Sequence, residues 1–264
     1  MRDLTDLSGR VALVTGAGGY LGPFFARALA RNGAKVLMTD KSNGCLAACD
    51  EINLSQGEDM ARARPFDLSE DDQVAELATW ARTQWGQVDI LVNNAALTGQ
   101  AGLPGWSVPF DKQSPDSWRI CWIVNLHSYV LLAQLLAGDL GHANNGVIVN
   151  VASINGLTGP DPKLYEDTNI FVPAAYSLAK AGCIHLSTYL ACALGPAVRA
   201  NSLTPGGIWR RQDAKFVERY EQRVPLRRMA TEADYIGPLI FLCSDQSAYM
   251  TGHNLVVDGG YTAW

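Results

Sequence analysis

Arg10-Val11-Ala12-Leu13-Val14-Thr15-Gly16-Ala17-Gly18-Gly19-Tyr20-Leu21-Gly22 decides how this chain is read. Its first six residues are a short apolar run that ends in glycines, the pattern of a strand buried on both faces. The glycines permit a tight turn and a close approach of backbone to a ligand. An amphipathic helix pattern then runs to about Asn32-Gly33. Strand, glycine turn and helix start, in that order, form a dinucleotide-binding arrangement, because the helix N-terminus offers N–H donors and a positive dipole end to a pyrophosphate. An ordinary tight turn is the other reading of the same glycines.

Working outward, Ala34–Thr39 is a second strand, and Asp40 stands at its end, eighteen residues past Gly22. An acidic residue near there accepts hydrogen bonds from the adenosine ribose and repels a 2′-phosphate, which favours NAD over NADP. Lys41 either softens that preference or is a solvated lysine. A helix over about 43–55 precedes a third strand ending at Phe66-Asp67-Leu68, where Asp67 either lines the nucleotide crevice or caps the next helix. That helix, about Glu70–Trp85, leads to a fourth strand, Val88–Val92. Asn93-Asn94-Ala95-Ala96 closes it with small residues that let backbone come near a ligand, although adjacent asparagines are also turn formers.

Residues 97–113 are rich in Gly and Pro and read as a long functional loop. A long apolar helix follows from Ser114-Pro115 to about Leu140, with Asn125 inside it, unfavourable unless its amide is hydrogen-bonded. Val147–Val151 is a fifth strand, closed by Ala152-Ser153. After a second irregular stretch, 154–172, Tyr176 and Lys180 stand four apart on a helix beginning near Pro173 and share a face. An ammonium near a phenol favours the phenolate; bringing a tyrosine from about 10 to about 7 takes roughly 4 kcal/mol. The pair is a candidate general acid/base, or simply two helix neighbours. Val198–Leu203 is a sixth strand, followed by Thr204-Pro205-Gly206-Gly207-Ile208. The charged stretch 209–224 reads as a mobile lid, about Glu232–Ser244 as a helix, and Asn254–Val257 as the last strand, ending in Asp258-Gly259-Gly260.

Strands alternating with helices imply one parallel, doubly wound α/β sheet. The 264 residues suffice for one such domain, with 48% hydrophobic and 18% charged residues. A net charge of −5 and a pI near 5.3 give no footprint for nucleic acid or an anionic membrane. The start, Met1-Arg2-Asp3, does not read as a signal peptide, and no uninterrupted apolar run reaches about 18 residues. The six cysteines lack the spacing of a zinc site, so no metal is expected; Cys45 and Cys49 read as helix packing, and reduced thiols in a cytoplasmic protein are expected.

Taken together, the Thr15-Gly16…Gly22 loop, Asp40, Asp67-Leu68, Asn93-Asn94-Ala95, Asn125, Ser153, Tyr176…Lys180, Pro205-Gly206 and Asp258-Gly259-Gly260 resemble the short-chain dehydrogenase/reductase family over essentially the whole chain, 1–264. The resemblance implies a Rossmann-like sandwich with a mostly parallel sheet of about seven strands. It also implies NAD(P)-dependent interconversion of a secondary alcohol and a ketone. Its catalytic set falls on Asn125, Ser153, Tyr176 and Lys180. Cofactor contacts are expected from Gly16, Gly19, Tyr20, Leu21, Gly22, Asp40, Lys41, Asp67, Leu68, Asn94, Ala95, Ala96, Tyr176, Lys180, Pro205, Gly206 and Ile208. The alternatives are an NADP-preferring ketone reductase and a catalytically silent dinucleotide sensor.

Three departures bear on specificity. Tyr20 occupies a position that is glycine in the commonest short members, and Thr15-Gly16-x-x-Gly19-x-x-Gly22 looks like the longer, nucleotide-sugar-modifying branch; the overall length and the Pro205-Gly206 and Asp258-Gly259-Gly260 motifs still resemble the shorter branch, and the chain is read as a member of that branch. Ser153 and Tyr176 are 23 residues apart, wider than usual, which points to an insertion around 160–168 that loops out. Trp209 stands near where many members place a Thr that contacts the carboxamide, leaving the Ile208 backbone as a substitute. The polar insertion and the Arg210-Arg211 pair favour a sugar, sugar acid or polyol, or are solvated loop charge, and Trp106, Trp122 and Trp209 are candidates for an apolar wall. Members of the family often form tetramers, and the aromatic end Tyr261–Trp264 is expected to pack on a neighbouring subunit.

Overall fold

The structure, a computed structural model, describes residues 3–99, 101–142 and 145–264. Met1 and Arg2, part of the start that does not read as a signal peptide, and Gln100 of the expected 97–113 loop therefore lie outside the described residues. Seven strands, β1 (Val11–Thr15), β2 (Lys35–Thr39), β3 (Ala61–Ala63), β4 (Ile90–Asn93), β5 (Gly146–Val151), β6 (Val198–Pro205) and β7 (Asn254–Val257), form one sheet in the order β3-β2-β1-β4-β5-β6-β7. All six pairings are parallel.

The apolar strands are uninterrupted because both faces of the sheet are covered, and successive side chains alternate between them. Ala12, Val14, Val36, Met38, Ile90 and Val92 face the layer containing α1 (Gly22–Arg31), α2 (Gly44–Gln56) and, from the far end of the chain, a helix at Ile236–Cys243. Val11, Leu13, Leu37, Leu91 and Ile148 face α3 (Asp71–Trp85) and the helices at Ser128–Gly141 and Ala174–Leu194. Fully burying each such side chain contributes about 1.5–3 kcal/mol.

Two expected elements differ. The third strand ends at Ala63, not at Phe66-Asp67-Leu68, because its partner β2 ends at Thr39; Arg64 and Phe66 still donate backbone bonds to Met38 and Asp40, at 3.1 and 3.0 Å, and Pro65 lies between them facing the open edge of the sheet. The long helix is α4 (Pro115–Trp122), a π-helical turn at Ile123–His127, and α5 (Ser128–Gly141). Asn125 causes the interruption: its Oδ1 accepts from the Leu97 amide at 2.7 Å and its Nδ2 donates to the Leu97 carbonyl at 3.0 Å. The helical stretch Pro115–Gly141 is long and apolar enough to cross a membrane, with mean hydropathy 1.6. In this fold Tyr129, Leu132, Ala133, Leu136 and Leu140 of α5 are buried against the sheet instead.

The insertion does not loop out. It forms the one-turn α6 (Pro162–Tyr165), ahead of α7 (Ala174–Leu194). The charged stretch expected as a lid holds α8 (Ala214–Arg223), capped by Asp213 and anchored by buried Phe216 and Tyr220. The chain then passes through a 3₁₀ turn at Glu232–Tyr235 into α9 (Ile236–Cys243). Tyr165, Phe216, Tyr220 and Tyr261 form an aromatic row, with successive centroids 5.5, 5.9 and 5.2 Å apart. Insertion, α8 and C-terminal residues thus share one small core. Within its own chain the tail stacks Tyr261 on Tyr220, and the Trp264 indole donates to the Arg223 carbonyl at 2.9 Å, while the Trp264 side chain stays largely exposed.

Candidate active site

After β3 the chain returns to the other side of β1, so β1 and β4 diverge in their onward connections, the place where such sheets bind ligands. Two loops meet there. Thr15 Oγ1 accepts from the amides of Asn94 and Ala95, at 3.0 and 3.1 Å, and Asn94 Nδ2 donates to the carbonyls of Thr15 and Gly16, at 2.9 and 3.2 Å. The Asn94 side chain is therefore occupied in joining backbone, leaving the small Ala95 and Ala96 to border the crevice. Sterics explain the glycines. A Cβ on Gly22 would fall 2.1 Å from the Gly16 carbonyl oxygen, and one on Gly16, at φ +65°, would meet Ala95 Cα at 2.7 Å. Gly19 is less crowded, with the Gly16 oxygen 3.3 Å away. Leu21 precedes α1 without a side-chain cap, so the amides of Gly22 and Phe24, on either side of Pro23, which has no N–H, have no side-chain partner at the cap and are available to an anion.

Asp40 braces this loop: one carboxylate oxygen accepts from Gly18 N at 3.1 Å, the other from Ser42 N and Oγ at 2.9 Å each. Lys41 pairs with Asp67 at 2.6 Å, and Asp67 also accepts from Ser69 N and Oγ in the turn before α3; the N-cap of α3 is Glu70, so Asp67 does not cap the helix itself. Burial pulls the Asp67 carboxyl upward, but the hydrogen bonds from Lys41 and Ser69 outweigh it and the group lies below its usual range. The Leu68 side chain is buried in the α3-side core.

The second corner lies where β5 ends. Ser153 heads a 3₁₀ turn, Ile154–Gly156, with its Oγ accepting from Asn155 N at 3.2 Å. A Cβ on Gly156 would come within 2.6 Å of the Lys180 carbonyl carbon, so only glycine lets this turn ride on α7 at Lys180. The first amide of α7, at Ala174, is held by Gln113 Oε1 at 3.0 Å, and Tyr176 follows in the first turn. The Ser153 hydroxyl hydrogen-bonds the half-buried Tyr176 phenol. Lys180 is buried; its Nζ donates to the Val151 carbonyl at 2.6 Å and stands 5.9 Å from the Tyr176 ring centre and 5.7 Å from that of Tyr129. Asn125 joins from the π-turn, its carbonyl accepting from Cys183 Sγ at 3.0 Å.

The electrostatics differ from the sequence expectation. Desolvation raises the Tyr176 phenol to about 12, opposed by the Ser153 hydrogen bond. Lys180 does not bring it toward neutrality, because the ammonium is turned onto Val151, and burial lowers the lysine's own pKa. The phenol is thus protonated at neutral pH in this state.

Beyond β6, Gly206 N donates to Val257 O at 3.0 Å, and a Cβ on Gly206 would press on Asp258 Cα at 2.7 Å. Ile208 bridges to Ala230, and its carbonyl, the suggested carboxamide contact, accepts from Gln212 Nε2 at 2.7 Å. Of the tryptophans, Trp106 is buried in a small core with Cys121, Ala175 and Ala179 that also supports Tyr176, whereas Trp122 and Trp209 are exposed.

Sequence reasoning missed Tyr129, whose hydroxyl donates to Ala95 O at 2.9 Å and ties α5 to the end of β4. Its place one helical turn past Asn125 was a readable signal. It also missed Gln113 and the Val151 carbonyl, for which no local signal exists. A carboxyl-edge crevice, a glycine loop at a helix N-terminus and a Ser–Tyr–Lys corner leave one assignment.

The chain belongs to the short-chain dehydrogenase/reductase family. A family model described as enoyl-(acyl carrier protein) reductase matches residues 19–262. A probable galactose dehydrogenase of Rhizobium meliloti is 33% identical over 97% of this chain and 96% of its own length. The 7α-hydroxysteroid dehydrogenase of Escherichia coli K12 is 31% identical over 98% and 96%. Among solved structures, a putative NAD(P) dependent gluconate 5-dehydrogenase from Beutenbergia cavernae, with bound NADP, superposes with TM-score 0.87 at 31% identity, covering 99% of this chain and all of that one. The present chain is accordingly an oxidoreductase that interconverts an alcohol and a ketone with NAD(P).

Proposed function

We propose that the protein is an NAD-preferring dehydrogenase of a hydroxyl-rich substrate, a sugar, sugar acid or polyol. The observation that carries the cofactor preference is Asp40, a carboxylate at the end of β2 beside the glycine loop, with Lys41 drawn away into an ion pair with Asp67. The residues fit a dinucleotide: the uncapped start of α1 suits a pyrophosphate, and the close-packed glycines keep the loop free of side chains, apart from Tyr20 and Leu21. When bound, the cofactor supplies the hydride acceptor or donor. Tyr176 holds and moves the substrate proton at its phenol oxygen. Ser153 donates to the substrate oxygen as charge develops there, a role worth roughly 3 kcal/mol. Lys180 is placed by Val151 to bind ribose hydroxyls, and the Asn125 carbonyl lies on the path by which Lys180 exchanges protons with solvent. The polar insertion and the names of the sugar-oxidising relatives support the substrate class, while the steroid-oxidising relative is the reason to test it against a sterol.

The same reading makes the protein a cytoplasmic homo-oligomer, a dimer or tetramer; the six free cysteines and the exposed Trp122, Leu178 and Tyr189 on α4 and α7 support it. The test of function is oxidation at alkaline pH of a panel of sugars, sugar acids, polyols and hydroxysteroids, with NAD⁺ and NADP⁺ in parallel. Turnover confined to the steroids, or a higher kcat/KM with NADP⁺, would overturn the proposal. Tyr176→Phe should lower kcat by about 10²–10⁴ while NADH binding persists.

A further inference from the structure

Tyr20 stands in the dinucleotide loop at a position where the commonest members of the family carry glycine, and it faces a partner the loop itself does not supply. The Arg210 guanidinium carbon lies 4.6 Å from the centre of the Tyr20 ring. Arg210 is fixed from two further directions. Its Nη1 pairs with Glu232 at 2.8 Å and also donates to the Trp209 carbonyl at 2.8 Å, while its backbone amide donates to Gln212 Oε1 at 2.6 Å. The arginine side chain is only 16% exposed and that of Glu232 25%, so this is not a loose surface pair.

The topology gives the contact its meaning. Tyr20 precedes α1 and Glu232 begins the turn that leads into α9, and α1 and α9 pack side by side on one face of the sheet. Arg210 arrives from the end of β6, three strands from β1, through the Ile208–Ala230 bridge. At about 4.8 Å per strand that is roughly 14 Å across the carboxyl edge. The contact therefore joins the loop that receives the pyrophosphate to the segment that follows Pro205-Gly206, along the α1–α9 rim of the crevice. A planar guanidinium held by a carboxylate keeps its face free for an aromatic ring, an arrangement a lysine cannot reproduce.

We infer that Tyr20 and Arg210, braced by Glu232, form a positioning clasp that closes the rim over the bound dinucleotide and slows its release. The inference rests on the dinucleotide reading above. The clasp acts on residence time: it must part to let cofactor leave, and its removal speeds dissociation more than association.

Stopped-flow displacement of NADH, followed by its fluorescence in the full-length protein, tests this. Tyr20→Gly and Arg210→Ala should each raise the dissociation rate about three- to tenfold. The double variant should be no faster than the faster single one, because both changes break one contact. Tyr20→Phe, which keeps the ring, should dissociate at the wild-type rate, and Arg210→Lys should behave like Arg210→Ala. Unchanged rates in Tyr20→Gly and Arg210→Ala, or additive effects in the double variant, would overturn the clasp while leaving the dinucleotide reading intact. Wild-type protein that binds neither NADH nor NADPH would overturn both. Melting curves of the four single variants identify a general loss of fold, and Tyr20→Phe carries the inference if Tyr20→Gly is unstable: faster release from Tyr20→Phe would also overturn it.

Discussion

The carboxyl edge of the sheet carries two walls built on opposite rules. On the cofactor side, backbone meets backbone: Gly16, Gly18 and Gly22 pack so closely that a single added carbon would overlap main-chain atoms of Ala95, Cys45 or Gly16, and the polar side chains of Thr15, Asn94 and Asp40 are used to hold that backbone in place. Around α6, α8 and the C-terminal residues, large rings meet large rings: Tyr165, Phe216, Tyr220 and Tyr261 follow one another across three segments far apart in sequence, tilted at the first two contacts and stacked at the last. The first wall tolerates no change of volume at its glycines. The second takes its shape from side chains.

The largest effect that tests this contrast is at Gly22. In Gly22→Ala the new methyl lies 2.1 Å from the Gly16 carbonyl oxygen, so the loop or α1 must move. We expect NADH affinity to fall at least about a hundredfold, since overpacking of this kind costs upward of 1–3 kcal/mol and here displaces the binding loop itself. Gly138→Ala, on α5 with nothing near its Cβ position, is the control: it should bind NADH normally and melt higher, by about 0.5–1 kcal/mol of stability. Equal behaviour of the two variants in calorimetric NADH titration would remove the steric account of the glycine loop.

The next test concerns the corner between the two walls. With the Tyr176 phenol raised to about 12, the proton is on oxygen at neutral pH, so the group is ready as an acid for ketone reduction and unready as a base for alcohol oxidation. The sign follows directly. Oxidation should accelerate as pH rises, by nearly tenfold per unit wherever proton abstraction limits the rate, and reduction should stay level until the phenol begins to ionise. An oxidation profile that levels off near pH 7 would mean that Lys180 leaves Val151 when cofactor binds and draws the phenol down.

In the aromatic wall the Tyr220 hydroxyl accepts from Gly207 N at 2.6 Å, next to its stack with Tyr261. Tyr220→Phe keeps the ring and leaves that amide without its acceptor, a loss of about 1–3 kcal/mol. Because Gly207 sits between the expected cofactor contacts Gly206 and Ile208, we expect a raised KM for substrate together with a smaller loss of NADH affinity. A change of the reverse kind, in NADH affinity alone, would erase the division between the walls.

The two walls were unequally legible in the sequence for the same physical reason. Glycines under steric compulsion sit at fixed spacings along a strand, turn and helix, so Gly16, Gly22 and the alternation of β1 to β7 could be read from local pattern. Asn125 could be read as an interruption because an unpartnered amide has no place in an apolar helix. The aromatic row could not, since Tyr165, Tyr220 and Tyr261 are each unremarkable in their own segments and acquire meaning only when α6, α8 and the C-terminal residues meet. The insertion was visible as an excess of length before Tyr176, but whether it looped out or packed down depended on that meeting. Lys180 was found, yet its true hydrogen-bond partner is a backbone carbonyl, which no sequence pattern marks.

The smallest expected effect lies at the far end of the cofactor wall, where charge replaces sterics. Lys41 is mostly exposed and is held by Asp67 at 2.6 Å, so the pair contributes at most about 1 kcal/mol. Asp67→Asn retains an oxygen for the Ser69 amide and hydroxyl while removing the charge, and so releases the lysine with little disturbance of the turn. The freed ammonium stands next to Asp40 in sequence, at the ribose end of the crevice, where a 2′-phosphate would bring opposite charge. The ratio of NADP to NAD in kcat/KM should then rise about two- to fivefold, and the gain should shrink in 0.5 M salt, where the screening length falls to a few ångströms. Lys41→Ala in the same background should cancel it. A ratio that stays constant through all three proteins would assign cofactor choice to Asp40 alone and make the Lys41–Asp67 pair a brace between the ends of β2 and β3.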